Sequence, residues 1–144
     1  MTLTGAAKIA GVIGWPVGHA LSPVLHGYWL AENGIDGAMV PLAVRPADFA
    51  AVLRGVRLAG FRGVNVTVPH KEAALKLAEM RDKASDVCGA SNLLLFRDGK
   101  MEGRNTDHVG LKLSLQENLG QDGLSQKTVV LLGALSSLGY LFTA

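Results

Sequence analysis

Along this chain, short stretches in which apolar residues alternate with small or polar ones are separated by stretches in which apolar residues return every three or four positions. The first spacing is that of strands and the second that of helices. Strands are predicted over residues 8–13, 38–44, 63–68, 91–96, 100–104 and 127–133. Helices are predicted over 22–33, 46–59, 69–80 and 107–119, with a shorter helical piece over 82–87 that ends at Gly89. Ser22 suits an N-cap, with Pro23 at the first helical position and Gly34 as the stop. Asp48 falls in the first turn of the second helix and Gly60 ends it. Pro69 suits the first position of the third, where its missing N–H costs nothing. Asp98-Gly99 between two strands is a strong hairpin signal.

Strands alternating with helices imply an α/β fold, a mostly parallel sheet flanked by helices, with one antiparallel hairpin. Ligands in such sheets bind beyond the carboxyl ends of the strands. The loop 14–22, the stretch from Thr67 to Lys71, and Asn92 all fall at or just after strand ends, and Asp107 follows the last hairpin strand. The pattern alone therefore gathers these residues near one rim.

Composition narrows the class. The 144 residues are 49% hydrophobic and 18% charged, which fits a packed globular chain. The net charge of +2 is too small, and the basic residues too scattered, to argue for nucleic acid or an anionic membrane. Cys88 is the one cysteine, so no internal disulfide forms, and a reducing cytoplasm fits. It lies in a small, apolar stretch that suggests packing. The start lacks a basic leader followed by a long apolar core, and the apolar run near the C-terminus is far short of a membrane span. His19, His26, His70 and His108 have no metal-ligand spacing, so no metal is expected. Trp15, Tyr28 and Trp29 read as core or interface residues.

The chemistry concentrates in Asn65-Val66-Thr67-Val68-Pro69-His70-Lys71-Glu72. Glu72 faces the positive end of its helix favourably, whereas Lys71 is disfavoured there. A rule broken at one residue often marks a site, although a lone lysine more often snorkels to water. A destabilised ammonium can give or take a proton near neutral pH, and a carboxylate beside it would hold it in place. Asn65 and Thr67 put polar side chains on an apolar strand, where they must bond the backbone or face a ligand. Asp107 follows Asn105 and Thr106, and all three suit a helix start, so a cap is its other role.

Three segments, 14–23, 65–72 and 103–107, together resemble the shikimate dehydrogenase family, enzymes that reduce 3-dehydroshikimate with NADPH in aromatic amino acid synthesis. The family carries G-x-P-x-x-H-S-x-S-P, N-V-T-V-P-x-K-E, a small-residue turn before V-N-T, and N-T-D-G. This chain follows that order from about residue 8 to residue 119. The resemblance implies that Lys71 and Asp107 are the acid–base pair and that Ser22, Asn65, Thr67 and Asn92 hold the substrate. Three departures stand out. Ala20 replaces the first of the paired serines that hold the substrate carboxylate, Leu93 replaces the Thr after Asn92, and His108 replaces the Gly after Asp107, where it can crowd the site. Losing one hydrogen bond to a charged group costs on the order of 1.5–3 kcal/mol. Ala20 therefore leaves a quinate or related polyol-acid dehydrogenase lineage as an alternative. A non-catalytic shikimate-binding module and a decayed remnant are others.

The family's NADP domain begins with a strand and a Gly-rich turn. Here the strand is present and ends at Gly133-Ala134, but Leu135-Ser136-Ser137-Leu138-Gly139-Tyr140 replaces the glycines that let a backbone approach a pyrophosphate. Gly133 and Ala134 are then only a vestigial cofactor contact. The expected division is a substrate-binding domain over 1–106, a linker helix and loop over 107–126, and the first strand of an incomplete Rossmann domain over 127–144. The expectation is that this chain alone does not bind NADP or turn over. Its apolar last strand is a hazard for self-association.

Overall fold

The computed structural model describes residues 3–119. The described residues form a six-stranded sheet in the order β2-β1-β3-β5-β6-β4. β1 (Lys8–Gly14) lies between β2 (Gly37–Ala43) and β3 (Gly63–Val66), parallel to both. β5 (Leu93–Arg97) runs antiparallel to β3 and to its hairpin partner β6 (Lys100–Arg104), while β4 (Met80–Arg81) adds a parallel edge to β6. The helices are α1 (Ser22–Glu32), α2 (Phe49–Leu58), α3 (Lys71–Leu77), α4 (Lys83–Cys88) and α5 (Asp107–Leu119). The α/β architecture is the one that the alternation of periods predicts. Asp98 and Gly99 both take positive φ, 50° and 71°, as a two-residue hairpin turn requires.

Strand alternation sorts side chains onto two unlike faces. On one, Ile13, Val44, Val64, Val66, Leu94 and Met101 pack against Phe49 and Leu53 of α2 and Ala74 of α3. Phe49, Val52, Leu53 and Val56 follow helical spacing, which is why α2 lies on this face. On the other, the buried apolar cluster is only Val12, Val17 and Met39, with Ala10 and Ala20 against it. Register places Val12 beside Asn65, and Asn65 beside Leu93. A row of three strands thus presents Val12, Asn65 and Leu93 on the face away from the larger core.

Several elements differ from expectation. Pro69 does not start the third helix. It follows Val68 through a cis peptide in a turn closed by the His70 N–H donating to the Thr67 carbonyl at 2.9 Å, and the helix begins at Lys71. That helix stops at Leu77 rather than at 80, and Met80–Arg81 forms an edge strand. Ser22 is the first helical residue and not the cap; Leu21 occupies the cap position, with no side-chain cap bond. Residues 46–48 form a 3-10 turn ahead of α2. Trp15, Tyr28 and Trp29 are 43%, 60% and 49% exposed and do not belong to the core. The strand predicted over 127–133, with Gly133 and Ala134, lies outside the described residues.

Candidate active site

β1 and β3 end at one rim, and β5, running the other way, begins there. The Val66 N–H donates to the Asn92 carbonyl at 2.8 Å, and the Asn92 N–H to the Arg104 carbonyl at 3.1 Å, so Asn92 is pinned between β3 and β6. Lys71 opens α3, its carbonyl taking the Ser91 N–H at 2.9 Å. Beneath it His70 is buried, bonding the Val44 carbonyl at 2.8 Å and stacking on Phe49 at 4.5 Å. A carbonyl only accepts, so His70 Nε2 carries the proton in that bond. These contacts anchor the start of α3 to the larger core.

Lys71 Nζ donates to Asp107 Oδ2 at 2.7 Å, and the two side chains are 14% and 31% exposed. The carboxylate offsets a cation at the unfavourable end of α3. Asp107 Oδ1 accepts from Asn92 Nδ2 at 2.8 Å, and that amide also donates to Thr106 Oγ1 at 2.8 Å. Asn92 Oδ1 accepts from the Thr106 N–H at 2.9 Å. Both carboxylate oxygens of Asp107 are therefore held, one by the ammonium and one by the amide.

The competing role for Asp107, the helix cap, falls to Asn105. Its Oδ1 accepts from the His108 N–H at 3.1 Å, while its Nδ2 donates to the Ala90 carbonyl at 2.8 Å. The Asn105 N–H in turn donates to Asp82 Oδ2 at 3.3 Å, and Asp82 Oδ1 caps α4 through the Ser85 N–H at 2.7 Å. Burial pushes the Asp82 carboxyl up, but the Ser85 hydroxyl and N–H, the Asn105 N–H and the charge of Arg104 outweigh it and hold it below the ordinary aspartate value. Burial, then the carboxylates of Asp107 and Asp82, push the Cys88 thiol up, away from the reactive thiolate.

A cleft of about 170 Å³ opens over the ion pair, lined by Val12, Ser22, Asn65, Val66, Thr67, Lys71, Asn92, Leu93, Thr106 and Asp107. That volume suits a small molecule, below the roughly 300–1,000 Å³ of drug-sized sites. All six residues singled out from the sequence, Ser22, Asn65, Thr67, Lys71, Asn92 and Asp107, line it. The side chains of Ser22, Asn65 and Thr67 make no hydrogen bond among the described residues, and no buried side-chain polar atom is left unpaired. Their donors and acceptors are available to whatever fills the cleft. His108 does not crowd it, for its side chain is exposed and outside the lining. The sequence leaves the cap open among Asn105, Thr106 and Asp107, and it does not reveal Thr106 as a partner of Asn92. Asn105 is the only buried residue of the Asn-Thr-Asp run, but the sequence carried no signal for that. No group of three or more His, Cys, Asp or Glu suited to a metal occurs among the described residues.

Residues 12–94 match the shikimate dehydrogenase substrate binding domain. The chain belongs to that family. It is 50% identical over 116 residues to the NADP(+) shikimate dehydrogenase of Paramagnetospirillum magneticum, covering 80% of this chain and 42% of that relative. To the enzyme of the same name from Rhodospirillum rubrum it is 44% identical over 133 residues, or 92% and 47% of the two chains. Among solved structures it is similar to shikimate 5-dehydrogenase from Thermus thermophilus, crystallised with NADP(H) and shikimate. The TM-score there is 0.72 at 35% identity, covering 77% of this chain and 42% of that one. The chain thus spans less than half the length of these relatives.

Proposed function

We propose that this chain is the substrate-holding half of an NADP-linked shikimate dehydrogenase, acting on 3-dehydroshikimate and shikimate in the cytoplasm. Residues 1–106 are the substrate-binding domain, 107–126 the connector, and 127–144 the beginning of the cofactor domain. The observation that carries this is the Lys71–Asp107 ion pair at 2.7 Å, facing a small cleft with three polar side chains that make no hydrogen bond among the described residues. Reduction of a ketone to an alcohol adds a hydride at carbon and a proton at oxygen. Lys71 Nζ delivers the proton in reduction and takes it in oxidation. Asp107 and Asn92 fix Lys71 in place, and Ser22, Asn65 and Thr67 hold the hydroxyl and carboxylate groups of the ring. NADPH, when bound, supplies the hydride. The described residues supply the proton chemistry and the substrate contacts, and Gly133 and Ala134, where the sequence puts a trace of a cofactor turn, lie outside them.

Calorimetric titration of the purified chain with shikimate, repeated with NADPH, tests this. Saturable heat from shikimate is expected, with none from NADPH. A folded chain that gives no heat with shikimate refutes the substrate role. NADPH-dependent reduction by the isolated chain refutes its dependence on a further cofactor-binding half.

A further inference from the structure

Gly14, the last residue of β1, is not a glycine for backbone reasons. It takes no positive φ, unlike Gly34, Gly60, Gly89 and Gly99. What a side chain there would meet is Thr67. A Cβ at Gly14 would lie 2.5 Å from Thr67 Cγ2, whereas its next neighbours, the Val68 and Pro16 carbonyl oxygens, are at ordinary contact distances of 3.4 and 3.5 Å. The backbone cannot readily open to make room, because two hydrogen bonds tie these two segments here and a third ties Gly14 to the residue after β2. The Thr67 N–H donates to the Ile13 carbonyl at 2.9 Å, the Trp15 N–H to the Val68 carbonyl at 3.0 Å, and the Val44 N–H to the Gly14 carbonyl at 3.0 Å. The Thr67 side chain must therefore yield. Its two γ substituents sit on one carbon, so rotation of the methyl to another staggered well carries the hydroxyl about 120° away with it.

We propose that Gly14 is the positioning residue for Thr67: the bare β1 terminus seats the threonine methyl and so aims its hydroxyl into the cleft. The inference rests on the cleft's being the shikimate site, and it assigns Gly14 a role in ligand affinity that acts wholly through Thr67. Thr67 lines the cleft, and its hydroxyl makes no hydrogen bond among the described residues, so no such bond competes with this packing for where it points.

The test compares Gly14→Ala, Thr67→Ser and the double variant in the 144-residue chain, with two readouts. Methyl NMR couplings report the Thr67 side-chain rotamer, and titration with shikimate reports affinity. Gly14→Ala is expected to move Thr67 to a different rotamer and weaken shikimate roughly fivefold to tenfold, as loss of about one hydrogen bond does. Thr67→Ser removes the methyl and keeps the hydroxyl, so the double variant is expected to bind within about twofold of Thr67→Ser alone. An unchanged rotamer in Gly14→Ala, or a double variant that binds as weakly as Gly14→Ala, overturns the proposal. If the unaltered chain does not bind shikimate, the assignment of the cleft fails and the rotamer decides this proposal by itself. If Gly14→Ala does not fold, a double variant with the melting temperature of Thr67→Ser supports the proposal, and one that also fails to fold overturns it.

Discussion

The two faces of the sheet are made by the same strands and do opposite work. Towards α2 and α3, Ile13 of β1, Val64 and Val66 of β3 and Leu94 of β5 are buried, and Ile13, Leu53 and Leu94 have no exposed surface. On the other face the same strands present Val12, Asn65 and Leu93, and α1 buries none of its residues. Leu21, Val24, Leu25, Tyr28 and Trp29 stay substantially exposed. Period-2 alternation lets one short strand build a core and line a cleft at once. Val64 and Val66 secure β3 while Asn65, between them, is free to face the cleft.

That separation is open to attack. The largest effect is expected from Leu53→Ala, which empties the larger core at a cost of roughly 2–5 kcal/mol in denaturant unfolding. Shikimate affinity of the folded fraction should stay within about twofold. If affinity fell with stability, the faces would not be separable. Lys71→Ala should do the reverse, weakening shikimate by roughly tenfold to a hundredfold through loss of a charged hydrogen bond. Its unfolding free energy should change far less than that of Leu53→Ala, and a comparable loss would make the ion pair a structural strut. Ala20→Ser restores a hydroxyl beside the smaller cluster and is expected to tighten shikimate severalfold. Unchanged or weaker binding would show that residue 20 does not reach the carboxylate.

The smallest effect concerns acid. The folded Asp82 carboxyl titrates below its unfolded value of about 3.9, so the native state binds fewer protons. Its stabilisation is complete above that value and is lost as pH falls through the folded pKa. Asp82→Asn keeps an acceptor but cannot titrate, and should flatten the acid limb of stability against pH. An identical acid limb in both proteins would remove Asp82 from the balance.

Much of this was legible in the chain, for identifiable reasons. Asp98-Gly99 can satisfy positive φ cheaply, Gly89 ends α4 at φ 65°, and α5 starts at Asp107, as predicted after a run of three residues that suit a helix start. What escaped was settled by residues distant in sequence. Met80 and Arg81 are both exposed and too short a run to alternate, so only pairing with Glu102 and Gly103 makes them a strand. Pro69 suits a helix start by local rules, and the Thr67 carbonyl, by taking the His70 N–H, makes a turn there instead. Asn105, Thr106 and Asp107 are interchangeable as caps by local rules. Ala90 draws Asn105 inward, whereas Lys71 and Asn92 claim Asp107.

Asp107 also opens α5, none of whose side chains is fully buried as far as Gln116. With little packing of its own, that helix is moored at its first turn by Lys71, Asn92 and the Asn105 cap. The pair proposed to move a proton is thus also the clasp on the segment that leaves the sheet. Unfastening it would take from α5 one of the few contacts that moor its first turn, so the same lysine that faces the cleft also helps to hold this helix to the sheet.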